Sequence, residues 1–352
     1  MNNQTNVPHE PASSPRARVL SPAFAALTWR RFLLAHSPEI RPALRVGFGL
    51  AIPGAILMLI GHTDLMVYAV FGSVVGMYGR SQHRLQRLKD QLLAGAMMLC
   101  AGVSGIILAP WGLDGWALVA GGIFWASASS LTADRYGLKP GGSFFPVFAF
   151  GALASLPVEQ APSLGGLAAF TLTALIGVIL GQTARFGSTA QDPFGHDPIP
   201  WPDALRRATC YACVVLLAGA LGIGLQFDHL QWVIAGSVVP LAAGNARGRL
   251  SRGVHRVAGT VAGLVVLLGI YYLQLPDLAL ALAIILLMFP TEGYMTRNYG
   301  LALSFFTPLI MLMLELADPS VNAEVLWERA LGNLLGVLAG ILGALIFDRK
   351  PR

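Results

Sequence analysis

The chain has 352 residues, of which 55% are hydrophobic and only 12% are charged, and its formal net charge is +6. A soluble domain of this size carries about twice that share of charged residues, so the composition excludes an ordinary soluble protein and indicates a membrane protein. The three cysteines imply no disulfide framework and no metal site.

Residues 1–40 are predicted to be a cytosolic tail. The first part of this tail is polar and rich in proline and serine, with no apolar core near its start, so it does not resemble a cleaved signal peptide. Residues 23–36 combine Trp29 and Phe32 with Arg30 and Arg31, a pattern that favours an amphipathic helix in the membrane interface.

Twelve apolar segments follow the tail, and each is predicted to be a transmembrane helix. A helix needs about 20 apolar residues to cross the hydrocarbon core. The segments lie near residues 42–62, 64–79, 91–111, 114–133, 142–156, 164–186, 204–226, 229–244, 253–274, 276–291, 298–315 and 326–347. The predicted fold class is therefore an all-α polytopic membrane protein.

The distribution of basic residues predicts the orientation of these helices. Short cytoplasmic loops are enriched in Lys and Arg. With twelve spans and a cytosolic N-terminus, only Arg329 of the 24 basic residues falls on the outer side. We therefore expect a multi-pass protein of the cytoplasmic (inner) membrane with both termini in the cytosol.

Matching segments in the two halves of the chain predict an internal repeat. The motif GSVV occurs at 72–75 and at 236–239, and the segments at 142–154 and 303–315 are similar. We expect two fused six-helix units, residues 41–186 and 204–348, joined by a cytosolic linker at 187–203, with a short tail at 349–352. Six spans per unit give both units the same orientation, so the repeat is parallel, about a pseudo-two-fold axis along the membrane normal.

Two segments of the second unit resemble a known family. The residues RVAGTVAG at 256–263 and NYGLALSFFTP at 298–308, with a short second span and a basic cytosolic segment, resemble the fusaric acid resistance, or aromatic acid exporter, family of membrane transporters. The first unit departs from this pattern, because LLAGAMMLCAG stands where the Gly-Thr pair would fall. The resemblance implies export of aromatic carboxylates or related organic anions.

Two runs of arginines have helical spacing and are candidate anion-binding groups. Arg80, Arg84 and Arg87 follow an i, i+4, i+7 pattern, and the second run follows i, i+3, i+7 at Arg249, Arg252 and Arg256. Two such stripes facing each other at the cytosolic mouth would concentrate anions there. The alternative, equally weighted, is that the arginines only fix topology and contact lipid phosphates.

The paired GSVV segments are the second candidate site. Short or interrupted helices at matching places in two repeats point to a transporter binding site, which here selects Ser73, Gly76, Ser237 and Pro240. Close helix packing through small residues is the favoured alternative.

Two Phe–Pro segments complete the candidate site. Phe145 with Pro146 in the first unit corresponds to Phe306 with Pro308 in the second. A proline frees a helix carbonyl, and a phenylalanine offers an apolar gate or a stacking face for an aromatic substrate. Ordinary core packing is the alternative.

These patterns predict a transporter that exports organic anions, aromatic carboxylates among them. A passive organic-anion channel and a non-transporting membrane scaffold stay open as alternatives. No cluster of acid, base or nucleophile indicates an enzyme, and no cofactor or metal is expected. The expected partners are a small organic anion and the lipid bilayer, with a homo-oligomer or a periplasmic adaptor left open and nucleic acid excluded.

Overall fold

The computed structural model describes residues 39–79, 84–113, 115–157, 164–183, 198–243, 246–318 and 323–347. The predicted interfacial helix, Arg80, the tail after 348 and residues 187–197 of the predicted linker lie outside these ranges.

All regular structure in the described residues is helical. Twelve α-helices follow one another along the chain: α1 (Ile40–Leu59), α2 (Met66–Ser73), α3 (Arg84–Leu108), α4 (Gly115–Tyr136), α5 (Phe144–Ala154), α6 (Leu164–Thr183), α7 (Trp201–Gly224), α8 (Leu230–Val238), α9 (Ala246–Tyr272), α10 (Asp277–Tyr294), α11 (Tyr299–Ala317) and α12 (Ala323–Phe347). Short 3-10 helices lie at Thr63–Leu65, Val74–Met77, Ala109–Trp111 and Pro240–Ala242.

Nine of the helices formed by the described residues are long and apolar enough to cross a membrane. The exceptions are α2, α5 and α8, which were predicted as full spans but are too short to cross the hydrocarbon core alone. Every residue of α2 and α8 is buried. Irregular backbone at membrane depth is tolerated where protein surrounds it, which explains how these two helices end in 3-10 turns.

The helices pack across the boundary between the first half of the chain (α1–α6) and the second half (α7–α12). Helix α1 packs on α10 and α7 packs on α4, while α2 contacts α11 and α8 contacts α5. Within the halves, α3 packs on α5 and α9 on α11, and α2 packs on α6 and α8 on α12. The two halves therefore interlock and do not form separate bundles.

The outer surface of the bundle is apolar. On α6 the exposed side chains include Leu172, Leu175 and Ile179, and on α9 they include Val265 and Leu268. A contiguous apolar exterior on so hydrophobic a chain is what a lipid-facing surface requires. This surface, with the nine long helices, makes the protein a multi-pass membrane protein.

Candidate functional site

A cavity of about 710 Å³ lies at one end of the bundle, between the two halves. It forms where the ends of α8 and α10 and the loop after α4 meet the starts of α5, α9 and α11. These helix ends carry Lys139, Arg252 and Arg297, so the cavity opens on the basic side of the protein.

Two arginines of α9 supply the positive wall of the cavity. Arg252 and Arg256 are one helical turn apart, and the Arg256 side chain is only 2% exposed. The guanidinium of Arg252 lies 5.4 Å from the Tyr299 ring centroid, and that of Arg256 lies 4.6 Å from the Phe144 ring centroid. Arg256 Nε also donates to Asn333 Oδ1 at 3.2 Å. Aromatic rings and an amide orient a guanidinium without neutralising it, so the charge is retained for an anion.

Aromatic side chains supply the apolar wall. The rings of Phe145 and Phe306 both line the cavity and meet edge to face, with centroids 6.4 Å apart and an interplanar angle of 76°. Phe144 contacts both rings and stacks on Phe148 at 5.6 Å. A ligand with a flat apolar body and one charged end would find both surfaces here.

The remaining charged groups make the cavity electropositive. Among the described residues that line it, Lys139, Arg252, Arg256 and Arg297 are cationic, and Glu292 is the one carboxylate. Arg297 Nε is 3.2 Å from Glu39 Oε1, so that cation is partly compensated. An excess of positive charge in a cleft with low-dielectric walls concentrates anions.

Among the described arginines of the two predicted stripes, Arg252 and Arg256 of α9 line the cavity. Arg84 is exposed at the first residue of α3, and Arg87 is buried beside Gly79, so neither lines it. Arg249 also points elsewhere, since its Nε donates to the Ala243 carbonyl at 3.1 Å. The described residues therefore do not place two facing stripes on this cavity.

The GSVV segments pack against neighbouring helices. Ser73 Oγ donates to the Val70 carbonyl at 2.7 Å, and Ser237 Oγ donates to the Ile234 carbonyl at 2.8 Å, so both hydroxyls are satisfied within their own helices. A Cβ at Gly340 of α12 would lie 2.3 Å from the carbonyl oxygen of Ser237.

The glycine and proline of the two segments have similar surroundings. Gly76 lies against α1 and α6, and Pro240 lies against α12. Neither residue lines the cavity, nor do Ser73 and Ser237. This environment favours the packing interpretation of both segments.

The two prolines of the Phe–Pro segments differ in position. Helix α5 begins at Phe144, so Pro146 stands in the first turn, where its missing N–H breaks no intrahelical hydrogen bond. Pro308 lies inside α11 and frees the carbonyl of the preceding turn. Of the two prolines, only Pro308 therefore frees a helix carbonyl. Neither proline lines the cavity.

Several buried polar residues near the cavity were missed by sequence reasoning. Asn333 is fully buried and bonds Arg256, and Arg329, one turn earlier on α12, is 1% exposed. The signal for both was the spacing in the segment ERALGN, where Arg329 and Asn333 stand four residues apart in an otherwise apolar span and so share one helix face.

Comparison with known proteins supports the resemblance noted from the sequence. Residues 212–343 match the family model described as fusaric acid resistance protein-like, a range that contains Arg252, Arg256 and Phe306. An uncharacterized membrane protein, YvaC of Bacillus subtilis (strain 168), is 24% identical over 172 residues, which cover 48% of this chain and 27% of that protein. The chain thus spans about a quarter of the length of this relative. No solved structure matches the chain.

Proposed function

Residues 212–343 connect this membrane protein to the fusaric acid resistance family, and from that premise we propose that it exports organic anions, aromatic carboxylates among them, across the cytoplasmic membrane. The observation that carries the proposal is the cavity that Arg252 and Arg256 line together with the rings of Phe145 and Phe306. A carboxylate would bind the guanidinium groups while its ring packs on the phenylalanines.

The proposal includes two six-helix repeats with cytosolic termini. The packing supports it, because two pairs of contacts between the halves are equivalent: α1 on α10 corresponds to α7 on α4, and α2 on α11 corresponds to α8 on α5. The cavity lies at the basic end of the bundle, which the enrichment of arginine in cytoplasmic loops makes the cytosolic end. A substrate for export would thus enter from the cytosol.

The proposal is tested by uptake of benzoate into proteoliposomes that contain the purified protein. Relative to protein-free liposomes, we expect saturable uptake of benzoate and no saturable uptake of benzamide, which has the same ring without the charge. An Arg252→Gln/Arg256→Gln variant should lose saturable uptake. Absence of protein-dependent benzoate uptake, or equal saturable uptake of benzamide through the protein, would contradict anion export.

The same assay separates a pump from a passive channel. In an imposed proton gradient, a proton-coupled transporter changes the steady-state accumulation of benzoate from the level that protein-free liposomes reach, whereas a channel only lets the benzoate anion equilibrate with its electrochemical gradient. A scaffold would give no anion flux in either condition. The electropositive cavity is the observation that favours a transporter or a channel over a scaffold.

A further inference from the structure

Arg329 is an intramembrane cation without a carboxylate partner among the described residues. Its guanidinium lies 4.3 Å from the Trp232 ring centroid, and its Nη1 is 3.6 Å from Met311 Sδ. Its Nε is buried and has no hydrogen-bond partner. The neighbouring Glu328 pairs with His229 instead.

Such a group is costly for the fold alone. An uncompensated cation in a membrane interior is unfavourable, and replacing a buried charge by an apolar residue of similar volume is often neutral or stabilising. Burial removes the Arg329 guanidinium from water, and the neighbouring cation Arg256 adds to the cost. The position therefore points to a ligand of opposite charge.

Arg329 continues the line of cations that begins in the cavity. Along α9, Arg256 is about 6 Å further from the cytosolic end than Arg252. Asn333, which accepts from Arg256 Nε and donates through Nδ2 to the Arg329 carbonyl at 3.0 Å, connects the line to α12. Since α12 runs antiparallel to α9, Arg329 stands about 6 Å beyond Asn333, toward the opposite face.

Each arginine in this line faces an aromatic ring. The pairs are Arg252 with Tyr299, Arg256 with Phe144 and Arg329 with Trp232. One arrangement therefore recurs at three successive positions between the cavity and the interior of α12.

We propose that Arg329, with Trp232, is a second anion-binding station, which receives a carboxylate from Arg256. This assignment rests on the proposed anion export and adds a route to it. An arriving carboxylate would replace Asn333 Oδ1 as the acceptor on Arg256 and would then bind the Arg329 guanidinium, which has a free Nε–H to donate.

The test uses Trp232 as a reporter of an anion at Arg329. In a variant in which the other six tryptophans are replaced by phenylalanine, iodide serves as a small anionic contact quencher and benzoate as its competitor. We expect saturable quenching by iodide that benzoate relieves, and little quenching by neutral acrylamide, because Trp232 is 1% exposed. Absence of saturable iodide quenching in the folded reporter protein would overturn the proposal.

Two substitutions separate a binding role from a packing role. Arg329→Met should weaken iodide binding by about tenfold or more while the thermal midpoint without anion is unchanged or higher. Arg329→Lys keeps the charge and loses the planar fork, so its affinity for benzoate should fall by about tenfold. Unchanged affinities in either folded variant would overturn the station, and if Arg329→Met does not fold, the Lys variant decides.

Benzoate uptake by the same proteins distinguishes this inference from the proposed function. Anion binding beside Trp232 without benzoate uptake would contradict the proposed export but not the anion-binding site at Arg329. Normal benzoate uptake in both Arg329 variants would contradict the anion-binding role of Arg329 but not the proposed export.

Discussion

The positive charge of Arg256 and the planar shape of its guanidinium contribute separately to the proposed affinity for a carboxylate, and substitutions can separate the two contributions. Arg256→Lys keeps a cation in the cavity but loses the fork that allows two parallel hydrogen bonds to a carboxylate. The loss of one such contact is worth about 1.4 kcal/mol, or about tenfold in affinity. Arg256→Gln also removes the charge, and hydrogen bonds to charged groups are worth about 1.5–3 kcal/mol, so affinity should fall by about 10- to 150-fold.

The affinity is measured as the half-saturating concentration of benzoate in proteoliposome uptake, with thermal melting as a check on folding. Arg249→Lys is the matched control, because Arg249 lies on the same helix but donates to backbone carbonyls and does not line the cavity. It should leave the half-saturating concentration within about twofold. If Arg256→Lys behaved like Arg249→Lys, the planar recognition of a carboxylate at this position would be refuted.

Three further predictions test packing, cavity charge and topology. Gly259→Ala should destabilise the protein by about 1–3 kcal/mol in thermal melts, because the added Cβ would lie 2.4 Å from a backbone carbonyl of α11. Gly269→Ala on the same helix meets no atom within 4 Å and should have no such effect; equal melting of the two variants would contradict the packing. Glu292→Gln removes the one carboxylate among the described cavity residues and should strengthen benzoate binding by about threefold or more, so weaker binding would refute the electrostatic argument. In a background without native cysteines, a cysteine at Ser155 should react with an impermeant maleimide added outside and one at Arg247 should not; the reverse pattern would overturn the orientation.

Most helix positions could be predicted because the bilayer fixes the length of apolar segments. The span predicted near 276–291 is α10 at Asp277–Tyr294, and the span predicted near 204–226 is α7 at Trp201–Gly224. The prediction was less accurate for α2 and α8, since hydropathy does not show that a segment is enclosed by protein and ends in a 3-10 turn.

The lining of the candidate cavity could be predicted in part. Helical spacing correctly grouped Arg252 with Arg256 on one face of α9, but spacing does not tell which direction a face points, and the same pattern left Arg87 buried away from the cavity. Counting basic residues by loop assigned Arg329 to the outer side of the membrane. Such a count contains no information on burial, so it could not show that Arg329 lies inside the protein. The tertiary packing of α12 against α8 and α11 decides its environment.

The interlocking of the two halves has a consequence for biogenesis. The surface that α1 offers to α10 is formed when Leu59 has been synthesised, but its partner does not begin until Asp277, more than 200 residues later. Until then the surface of α1 that will contact α10 must face lipid or the insertion machinery. Because helices of each half pack on helices of the other, a nick in the 187–203 segment after assembly should leave the two halves associated.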